Sequence, residues 1–361
     1  MFDKKTVKDV DVKDQVVLVR ADYNVPLARR EDGSRQITSD FRVRESLPTL
    51  KYLLEHGASR VVMLSHLGRP KGKDADLSLK IVAEKLAELL PGVPVGFVDE
   101  CRGDEVEQAV ADTPKGGVLL LENLRFEPDE KKNSEELAED IVRSTGATLF
   151  VQDGFAVTHR AHASTVAIAK LLPAVAGFLV EKEVTTLKKA LEDPSRPLVT
   201  IIGGMKVADK QPLIDKFLPV SDRLIVGGKI AADGYKSEEP QVYVAEDFDV
   251  DSEGNKLDVG PVSTCKIVDM VNGAKTVLWN GVLGKVEDPA YATASVIVAK
   301  ELGENRDVIS IICGGDTAGF VENMQLNDPE LHYTLISTGG GAALSLLSGE
   351  PMPGLEALVS K

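Results

Sequence analysis

The sequence predicts an α/β protein that contains two doubly wound parallel-sheet domains joined by a hinge helix. Apolar runs of strand length alternate with segments whose apolar residues recur about every 3.6 positions, and this alternation is typical of βαβ units. The 361 residues exceed a single typical core. The predicted strands of the first half end near arginine or histidine, whereas those of the second half end in glycine. Two domains with different ligand-binding edges are therefore expected.

The first half contains four apolar runs that predict strands and three amphipathic segments that predict helices. Serine or aspartate precedes each amphipathic segment and glycine follows it, as expected for helix caps. The predicted strands cover residues 16–19, 61–64, 118–121 and 149–151, and the predicted helices cover 40–57, 78–90 and 134–145.

The second half repeats the alternation after a connecting helix. That helix follows Pro173 and places Val180, Val184, Leu187 and Leu191 along one stripe. The later strands are predicted at residues 198–202, 224–226, 242–245, 276–279, 308–312 and 335–336, with helices at 207–218 and 292–302. We therefore predict two Rossmann-like domains, the first formed by residues 1–172 with the C-terminal tail 344–361 and the second by residues 195–343, with the hinge helix at 173–194.

Composition narrows the classes of function. A net charge of -15 and a pI near 4.9 argue against binding to nucleic acid or membrane surfaces, because the field of the protein repels polyanions. Cys101, Cys265 and Cys313 are too few and too widely spaced for a disulfide framework or a metal knuckle. We expect a cytoplasmic protein without a signal peptide, in which any anionic ligand is held by a local basic cluster.

Charged and polar side chains follow the predicted strands of the first half, where open α/β sheets form their ligand crevice. Any one arginine could simply pair with a surface acid, and Asp22 with Asn24 could form only a turn, but their coincidence at four strand ends favours a ligand site. Arginine suits phosphate or carboxylate, and crowded arginines repel a metal cation. The positions are Arg20, Asp22, Asn24, His66, Arg69, Arg125, His159, Arg160 and His162.

Glycine turns follow the predicted strands of the second half. Glycines could merely permit tight turns, yet several such turns before helices offer backbone amides to a polyphosphate. Lys206 follows one turn, and Asp316 with Thr317 follows another with oxygen ligands suited to Mg²⁺. Neither GxxxxGK[ST] nor GxGxxG is present. The turns are Gly203-Gly204, Gly227-Gly228, Asn280-Gly281, Gly314-Gly315 and Gly339-Gly340-Gly341.

Taken in order, these motifs closely resemble the phosphoglycerate kinase family along nearly the whole chain. The similar segments are Arg20-Ala21-Asp22-Tyr23-Asn24-Val25-Pro26, Ser65-His66-Leu67-Gly68-Arg69-Pro70, Leu121-Glu122-Asn123-Leu124-Arg125-Phe126, His159-Arg160-Ala161-His162, Gly203-Gly204-Met205-Lys206, Trp279-Asn280-Gly281, Gly314-Gly315-Asp316-Thr317 and Ser337-Thr338-Gly339-Gly340-Gly341. Any one of them is weak evidence, whereas the ordered set is specific.

The resemblance implies a monomeric glycolytic enzyme that moves a phosphoryl group reversibly between 1,3-bisphosphoglycerate and ADP. The products are 3-phosphoglycerate and ATP, transfer is direct and in line on domain closure, and Mg²⁺ accompanies the nucleotide at Asp316. The implied phosphoglycerate residues are Asp22, Asn24, Arg42, His66, Arg69, Arg125, His159 and Arg160. The implied nucleotide residues are Gly204, Lys206, Lys210, Gly228, Asn280, Glu287, Gly315, Asp316 and Thr317. The implied stabilisers of the transferring group are Arg42, Lys206, Gly340 and Gly341.

The sequence departs from the family pattern around the expected base and ribose pocket. Met205, Lys229, Val282 and Lys285 differ from the usual residues, and the stretch between residues 228 and 257 is shorter than in the family. Two alternatives remain open at this point. One is a non-catalytic phosphoglycerate-binding or regulatory protein with an altered nucleotide pocket, and the other is a dinucleotide-dependent dehydrogenase, which the missing fingerprint disfavours.

Overall fold

The computed structural model describes residues 2–361, apart from the side chain of Asp209, as two compact α/β units. The first unit comprises Met1–Glu183 with Pro351–Lys361, and the second comprises Val184–Glu350. Each unit contains a six-stranded sheet in which every strand pair is parallel. The predicted fold class is therefore confirmed.

The first unit contains its six-stranded sheet, helices and a separate two-stranded hairpin. Its strands are β1 (Val16–Arg20), β2 (Leu27–Arg29), β3 (Arg35–Ile37), β4 (Arg60–Leu64), β5 (Val95–Val98), β6 (Gly117–Leu121), β7 (Leu149–Gln152) and β8 (Ala174–Ala176). Its helices are α1 (Phe41–Glu55), α2 (Lys80–Leu89), α3 (Asp104–Asp112), α4 (Glu135–Thr145) and α5 (Ile168–Leu171), followed by α6 (Phe178–Glu192). The strand order is β5-β6-β4-β1-β7-β8, and β2 pairs with β3 antiparallel.

Continuous apolar runs form the central strands because both faces of this sheet are buried. Val17 and Val19 of β1 have no exposed surface and pack in one core with Leu50 of α1 and Leu86 of α2. This packing leaves polar side chains only where the strands end. The carboxyl ends of β1, β4, β6 and β7 therefore carry the candidate site.

The second unit repeats the design with a different hairpin. Its strands are β9 (Leu198–Ile202), β10 (Arg223–Val226), β11 (Val242–Val244), β12 (Phe248–Val250), β13 (Lys256–Val259), β14 (Thr276–Asn280), β15 (Ile309–Cys313) and β16 (Leu335–Ile336). Its helices are α7 (Val207–Phe217), α8 (Gly228–Ala232), α9 (Pro261–Asn272), α10 (Thr293–Glu304), α11 (Gly315–Asn327) and α12 (Gly340–Ser348). The strand order is β11-β10-β9-β14-β15-β16, and β12 pairs with β13 antiparallel.

The C-terminal segment returns to the first unit after α12. Its short helix α13 (Pro353–Glu356) is followed by Val359, whose amide donates to the Ala174 carbonyl at 2.9 Å. The Lys5 amide donates to the Val359 carbonyl at 2.8 Å. The division between the units falls within α6, and the hinge role of that helix stays a prediction. Among residues 2–361, no helix is long and apolar enough to cross a membrane.

Candidate functional site

Arginine and histidine side chains cluster at the carboxyl end of the first sheet, and we call this cluster the basic edge. Burial lowers the pKa of His66, and the nearby charges of Arg20, Arg125 and Arg42 lower it further. Burial likewise lowers the pKa of Arg125, and the charges of Arg160 and Arg69 lower it further. Loops that are distant in sequence are thus brought together, as the strand order requires. The basic edge comprises Arg20, Asp22, Asn24, Arg42, His66, Arg69, Arg125, His159, Arg160 and His162.

A buried polar chain lies at the centre of the basic edge. Arg20, at the end of β1, is almost fully buried and its Nη2 lies 3.1 Å from His66 Nδ1. His66 Nδ1 in turn lies 3.8 Å from Asp22 Oδ1, and Asp22 pairs with Arg42. The Asp22 carboxylate therefore holds one arginine of α1 against the strand ends. Its role in the structure is to position cations, and its predicted contact with phosphoglycerate stays a prediction.

Two histidines of the basic edge, His66 and His162, are neutral at neutral pH. Burial is the main cause that lowers the pKa of His66 well below its usual range, and the charges of Arg20 and Arg125 lower it further. Burial and the same two arginines lower the pKa of His162 to about 4. The positive charge of the basic edge therefore comes from its arginines.

Three arginines of the basic edge are available to a ligand. Arg69, Arg125 and Arg160 form no ion pair with any side chain that the structure describes. Arg69 and Arg160 are exposed, and Arg125 is half-buried. The Arg160 Nε donates to His159 Nε2 at 3.0 Å, which places the predicted His159 beside it. Unpaired guanidinium groups at strand ends are suited to bidentate contacts with phosphate or carboxylate.

Buried acceptors support these cations, and sequence reasoning missed the most important one. Glu130 accepts from the Ser164 Oγ at 2.6 Å and from its amide at 3.1 Å, and the same Oγ accepts from Arg20 Nε at 2.9 Å. Glu130 is fully buried, although its sequence neighbours are exposed charged residues. Because Glu130 lies in a run of charged residues, nothing in the sequence distinguishes it.

Buried Asn123 and half-buried Asn24 shape the loops of the basic edge. The Asn123 side chain accepts from the Leu67 amide at 3.2 Å and donates to the Leu77 carbonyl at 2.9 Å. Asn24 Oδ1 accepts from the Gly68 amide at 2.8 Å, next to Arg69. The Asn24 side chain therefore fixes the loop that carries Arg69, and its predicted contact with phosphoglycerate stays a prediction.

Glycine turns occupy the carboxyl ends of β9, β14 and β15 in the second unit, and we call them the glycine edge. Gly281 has a φ of 102°, and a Cβ there would overlap the Gly203 carbonyl. The Gly203 amide donates to the Asn280 carbonyl, and the Gly204 amide to the Val282 carbonyl, both at 3.0 Å. These glycines are required first for close backbone packing. The same packing leaves Gly315 open, since a Cβ there would meet no atom within 4 Å.

A pocket of about 650 Å³ lies against the glycine edge. Eight of the nine predicted nucleotide residues line it, and the ninth, Asn280, accepts a hydrogen bond from the lining residue Lys210. Gly340 does not line the pocket, but a Cβ on it would lie 2.9 Å from the Gly315 amide. The N-termini of α11 and α12 are therefore neighbours. The eight lining residues are Gly204, Lys206, Lys210, Gly228, Glu287, Gly315, Asp316 and Thr317.

The polar side chains of the pocket differ in their solvent exposure and in their hydrogen bonds. Lys206 immediately precedes α7, is exposed, and forms no ion pair with a described side chain. The Thr317 hydroxyl is buried and accepts from the Gly281 amide at 2.8 Å. Asp316 is exposed in the first turn of α11. Two adjacent helix N-termini and an exposed lysine form a site suited to a polyphosphate.

One wall of the pocket was not predicted from the sequence, because the β12–β13 hairpin was not predicted. Phe248, Lys256 and Leu257 of this hairpin line the pocket. So does Asp258, which accepts from the Val259 amide at 2.9 Å and the Ala294 amide at 3.1 Å. Burial raises the pKa of Asp258 to about 6.

Comparisons of the sequence with a family model and with curated proteins indicate the same family. A family model described as phosphoglycerate kinase matches residues 7–242 and 232–350. Phosphoglycerate kinases of Dictyoglomus turgidum and Moorella thermoacetica are 38% and 42% identical to the chain, over 99% of it and 100% of each relative. These alignments span 408 and 404 positions, so the relatives carry segments that this 361-residue chain lacks. The two matched segments overlap at residues 232–242, beginning at the last residue of α8.

Solved structures agree with the sequence relatives. A phosphoglycerate kinase structure from Coxiella burnetii has a TM-score of 0.76 at 30% identity, and one from Pyrococcus horikoshii OT3 has a TM-score of 0.83 at 28% identity. Each comparison covers 98% of this chain and 98% of the other. The similarity therefore extends over both units.

Proposed function

This chain belongs to the phosphoglycerate kinase family, a family of kinases, and from that premise we propose how its residues divide the reaction. The reaction moves a phosphoryl group reversibly between 1,3-bisphosphoglycerate and ADP, and it yields 3-phosphoglycerate and ATP. We assign the phosphoglycerate to the basic edge and the nucleotide to the glycine edge. No comparison supports a non-catalytic binding protein or a dehydrogenase.

The observation that carries this assignment is the set of unpaired arginines. The chain has 57 acidic residues, yet Arg69, Arg125 and Arg160 lie at strand ends without an ion pair to any described side chain. A cation kept free among so many acids is available to an anionic substrate. The carboxylate and phosphate of 3-phosphoglycerate are anions to which a guanidinium group can donate two parallel hydrogen bonds.

The glycine edge supplies the complementary half of the proposal. Phosphoryl transfer needs little covalent chemistry from the protein, because positioning and charge stabilisation lower the barrier. Lys206 and the amides of Gly340 and Gly341 are the proposed stabilisers of the transferring group, together with Arg42 from the basic edge. What supports this is the exposure of Lys206 and the position of Gly340 at the first turn of α12.

Mg²⁺ is proposed to enter with the nucleotide. Among the described residues no group of three or more histidine, cysteine or acidic side chains could hold a metal on its own. Asp316 offers an exposed carboxylate beside the phosphate turns, which fits an ion held by one carboxylate, water and phosphate oxygens. When bound, Mg²⁺ neutralises charge on the phosphates, and Asp316 orients it.

Direct in-line transfer requires both substrates to meet, so we propose domain closure with α6 as the hinge. The division between the two units lies within α6, and buried Asp153 accepts from the Leu179 amide in its first turn at 3.0 Å. A helix anchored in one unit and continuing into the other is suited to this role. We further propose a cytoplasmic monomer that acts on small molecules and binds neither nucleic acid nor membranes.

A coupled steady-state assay tests the proposed function. The purified chain is given 3-phosphoglycerate, Mg²⁺ and a nucleoside triphosphate, and 1,3-bisphosphoglycerate is detected through a coupling dehydrogenase. We expect turnover that requires all three components. The matched control omits 3-phosphoglycerate and measures nucleotide hydrolysis alone. Absence of turnover with every nucleotide would contradict the proposal.

A further inference from the structure

Lysines dominate the wall of the nucleotide pocket that the β12–β13 hairpin helps to form. We call this the lysine wall, and it comprises Lys229, Ala232, Phe248, Lys256, Leu257 and Lys285. Contacts join these residues into one surface. The Lys285 amide donates to the Leu257 carbonyl at 2.9 Å, and Lys256 Nζ lies 3.4 Å from the Ala232 carbonyl. The two segments of the family match overlap at residues 232–242, which include Ala232 of the wall.

Two of the three lysines have donors to spare. Lys256 Nζ lies 4.6 Å from the centre of the Phe248 ring, and its one hydrogen bond to a described residue is the long contact to the Ala232 carbonyl. The Lys285 side chain forms no ion pair or hydrogen bond with a described residue. Lys229 differs, because it pairs with Asp233 at 2.7 Å.

The chemistry of the wall suits a base more than a second phosphate. The helix N-termini and Lys206 lie together at the phosphate turns, whereas the wall adds the apolar side chains of Phe248 and Leu257. Aromatic and aliphatic side chains cover the faces of a flat base. The phosphates are therefore expected at the glycine turns and the base against the lysine wall.

Lysine discriminates between purine edges because it only donates hydrogen bonds. Guanine and hypoxanthine present two acceptors, O6 and N7, which match lysine, whereas adenine presents a donor and an acceptor, which match asparagine or glutamine. No asparagine or glutamine lines the described pocket. Asp258 is already bonded to two backbone amides, which leaves Glu287 as the one carboxylate acceptor away from the phosphate turns.

We propose that Lys256 and Lys285 select a purine that carries an oxygen at position 6, so that this chain uses GTP and ITP with a higher kcat/KM than ATP. The inference rests on the proposed function and deepens it by naming the nucleotide class. Inosine and guanosine nucleotides share O6 and N7 and differ only in the 2-amino group. The lysine wall treats them alike.

The experiment measures kcat/KM for ATP, GTP and ITP at saturating 3-phosphoglycerate and Mg²⁺. The proteins are the wild type, Lys256→Met, Lys285→Met and the control Lys266→Met. Lys266 is an exposed lysine of the same unit that pairs with Glu246 and lies 5.6 Å from the Tyr243 ring, outside the pocket. We expect each wall variant to lower the GTP/ATP and ITP/ATP ratios about tenfold, by loss of one base-edge contact, and the control to leave both ratios unchanged.

Three results would overturn the inference while leaving the proposed function intact. The first is a wild-type preference for ATP. The second is a kcat/KM for ITP that equals the value for ATP and lies below the value for GTP, which would assign selectivity to the 2-amino group. The third is an equal fall in kcat/KM for all three nucleotides in the wall variants, which would mean that the lysines attract phosphate only. If no nucleotide turned over, the proposed function would fail, and equilibrium binding of ADP, GDP and IDP to the same proteins would test the inference separately.

Discussion

The basic edge and the glycine edge both end parallel sheets, but they are built to bind anions in different ways. In the basic edge, Arg20 is held by buried Ser164 and Glu130, and Arg42 by Asp22. In the glycine edge, Gly203 and Gly281 bring two backbone segments into contact. One site is a set of side chains on a polar scaffold, and the other is a set of backbone amides.

This difference decides how each edge responds to substitution. An arginine without an ion pair, such as Arg69, can be removed from the basic edge without moving the backbone, so the loss is confined to ligand binding. A glycine in close backbone contact cannot gain a side chain without shifting a strand end, so the loss extends to folding. Four predictions sharpen this comparison.

Gly281→Ala is expected to have the largest effect. The new Cβ would overlap the Gly203 carbonyl at a φ of 102°, and we expect a loss of about 4 kcal/mol or more in unfolding free energy. Urea unfolding followed by the fluorescence of buried Trp279, the single tryptophan, measures it. Gly319→Ala is the control, because its Cβ would meet nothing within 4 Å. Equal stability of the two variants would contradict the close-packing account.

Lys206→Ala tests the glycine edge without disturbing its backbone. We expect kcat to fall about 100-fold or more, because an exposed cation that stabilises developing charge is lost. The KM for 3-phosphoglycerate should stay unchanged. Lys275→Ala, an exposed lysine at the opposite end of β14, is the matched control. A parallel rise in the KM for 3-phosphoglycerate would argue against the division of roles.

Arg69→Ala tests the basic edge in the same way. We expect the KM for 3-phosphoglycerate to rise about 30-fold with little change in kcat, because a charged hydrogen-bond partner of the bound anion is removed. The control is Arg143→Ala, whose exposed guanidinium already pairs with Asp140 at 2.5 Å. An unchanged KM would remove Arg69 from the substrate site.

The lowered pKa of His162 predicts a smaller, pH-dependent effect on stability. The pKa of His162 is lowered to about 4 in the folded protein, whereas a histidine in the unfolded chain has a pKa of about 6.5. As the pH falls from 6.5 towards 4, the unfolded chain binds a proton that the folded chain does not, so folding is destabilised. His162→Gln should therefore lose fewer degrees of Tm than the wild type between pH 7.5 and 5. Identical losses would show that His162 is not held neutral.

Much of the fold follows from the sequence because buried parallel strands are continuous apolar runs. The runs at 198–202 and 335–336 coincide with β9 and β16. The β12–β13 hairpin escaped prediction because its strands have only three and four residues and mix charged with apolar side chains. Its absence from the prediction removed a whole wall from the expected pocket.

The candidate site was predictable where topology alone brings residues together. Arg69 and Arg125 lie far apart in sequence and meet because β4 and β6 are neighbours in the sheet. Glu130 was not predictable, since its role depends on being buried beside Arg20 and Ser164. Burial of a single acid in a charged segment has no local signature.

If the two edges bind different substrates independently, calorimetric titration of variants in each edge separates the two binding events. The proteins are the wild type, an Arg69→Ala/Arg125→Ala variant and a Lys206→Ala/Lys210→Ala variant, each titrated with 3-phosphoglycerate and with a nucleoside diphosphate and Mg²⁺. The account predicts that the arginine variant loses only 3-phosphoglycerate binding and that the lysine variant loses only nucleotide binding. Loss of both ligands from either variant would contradict it.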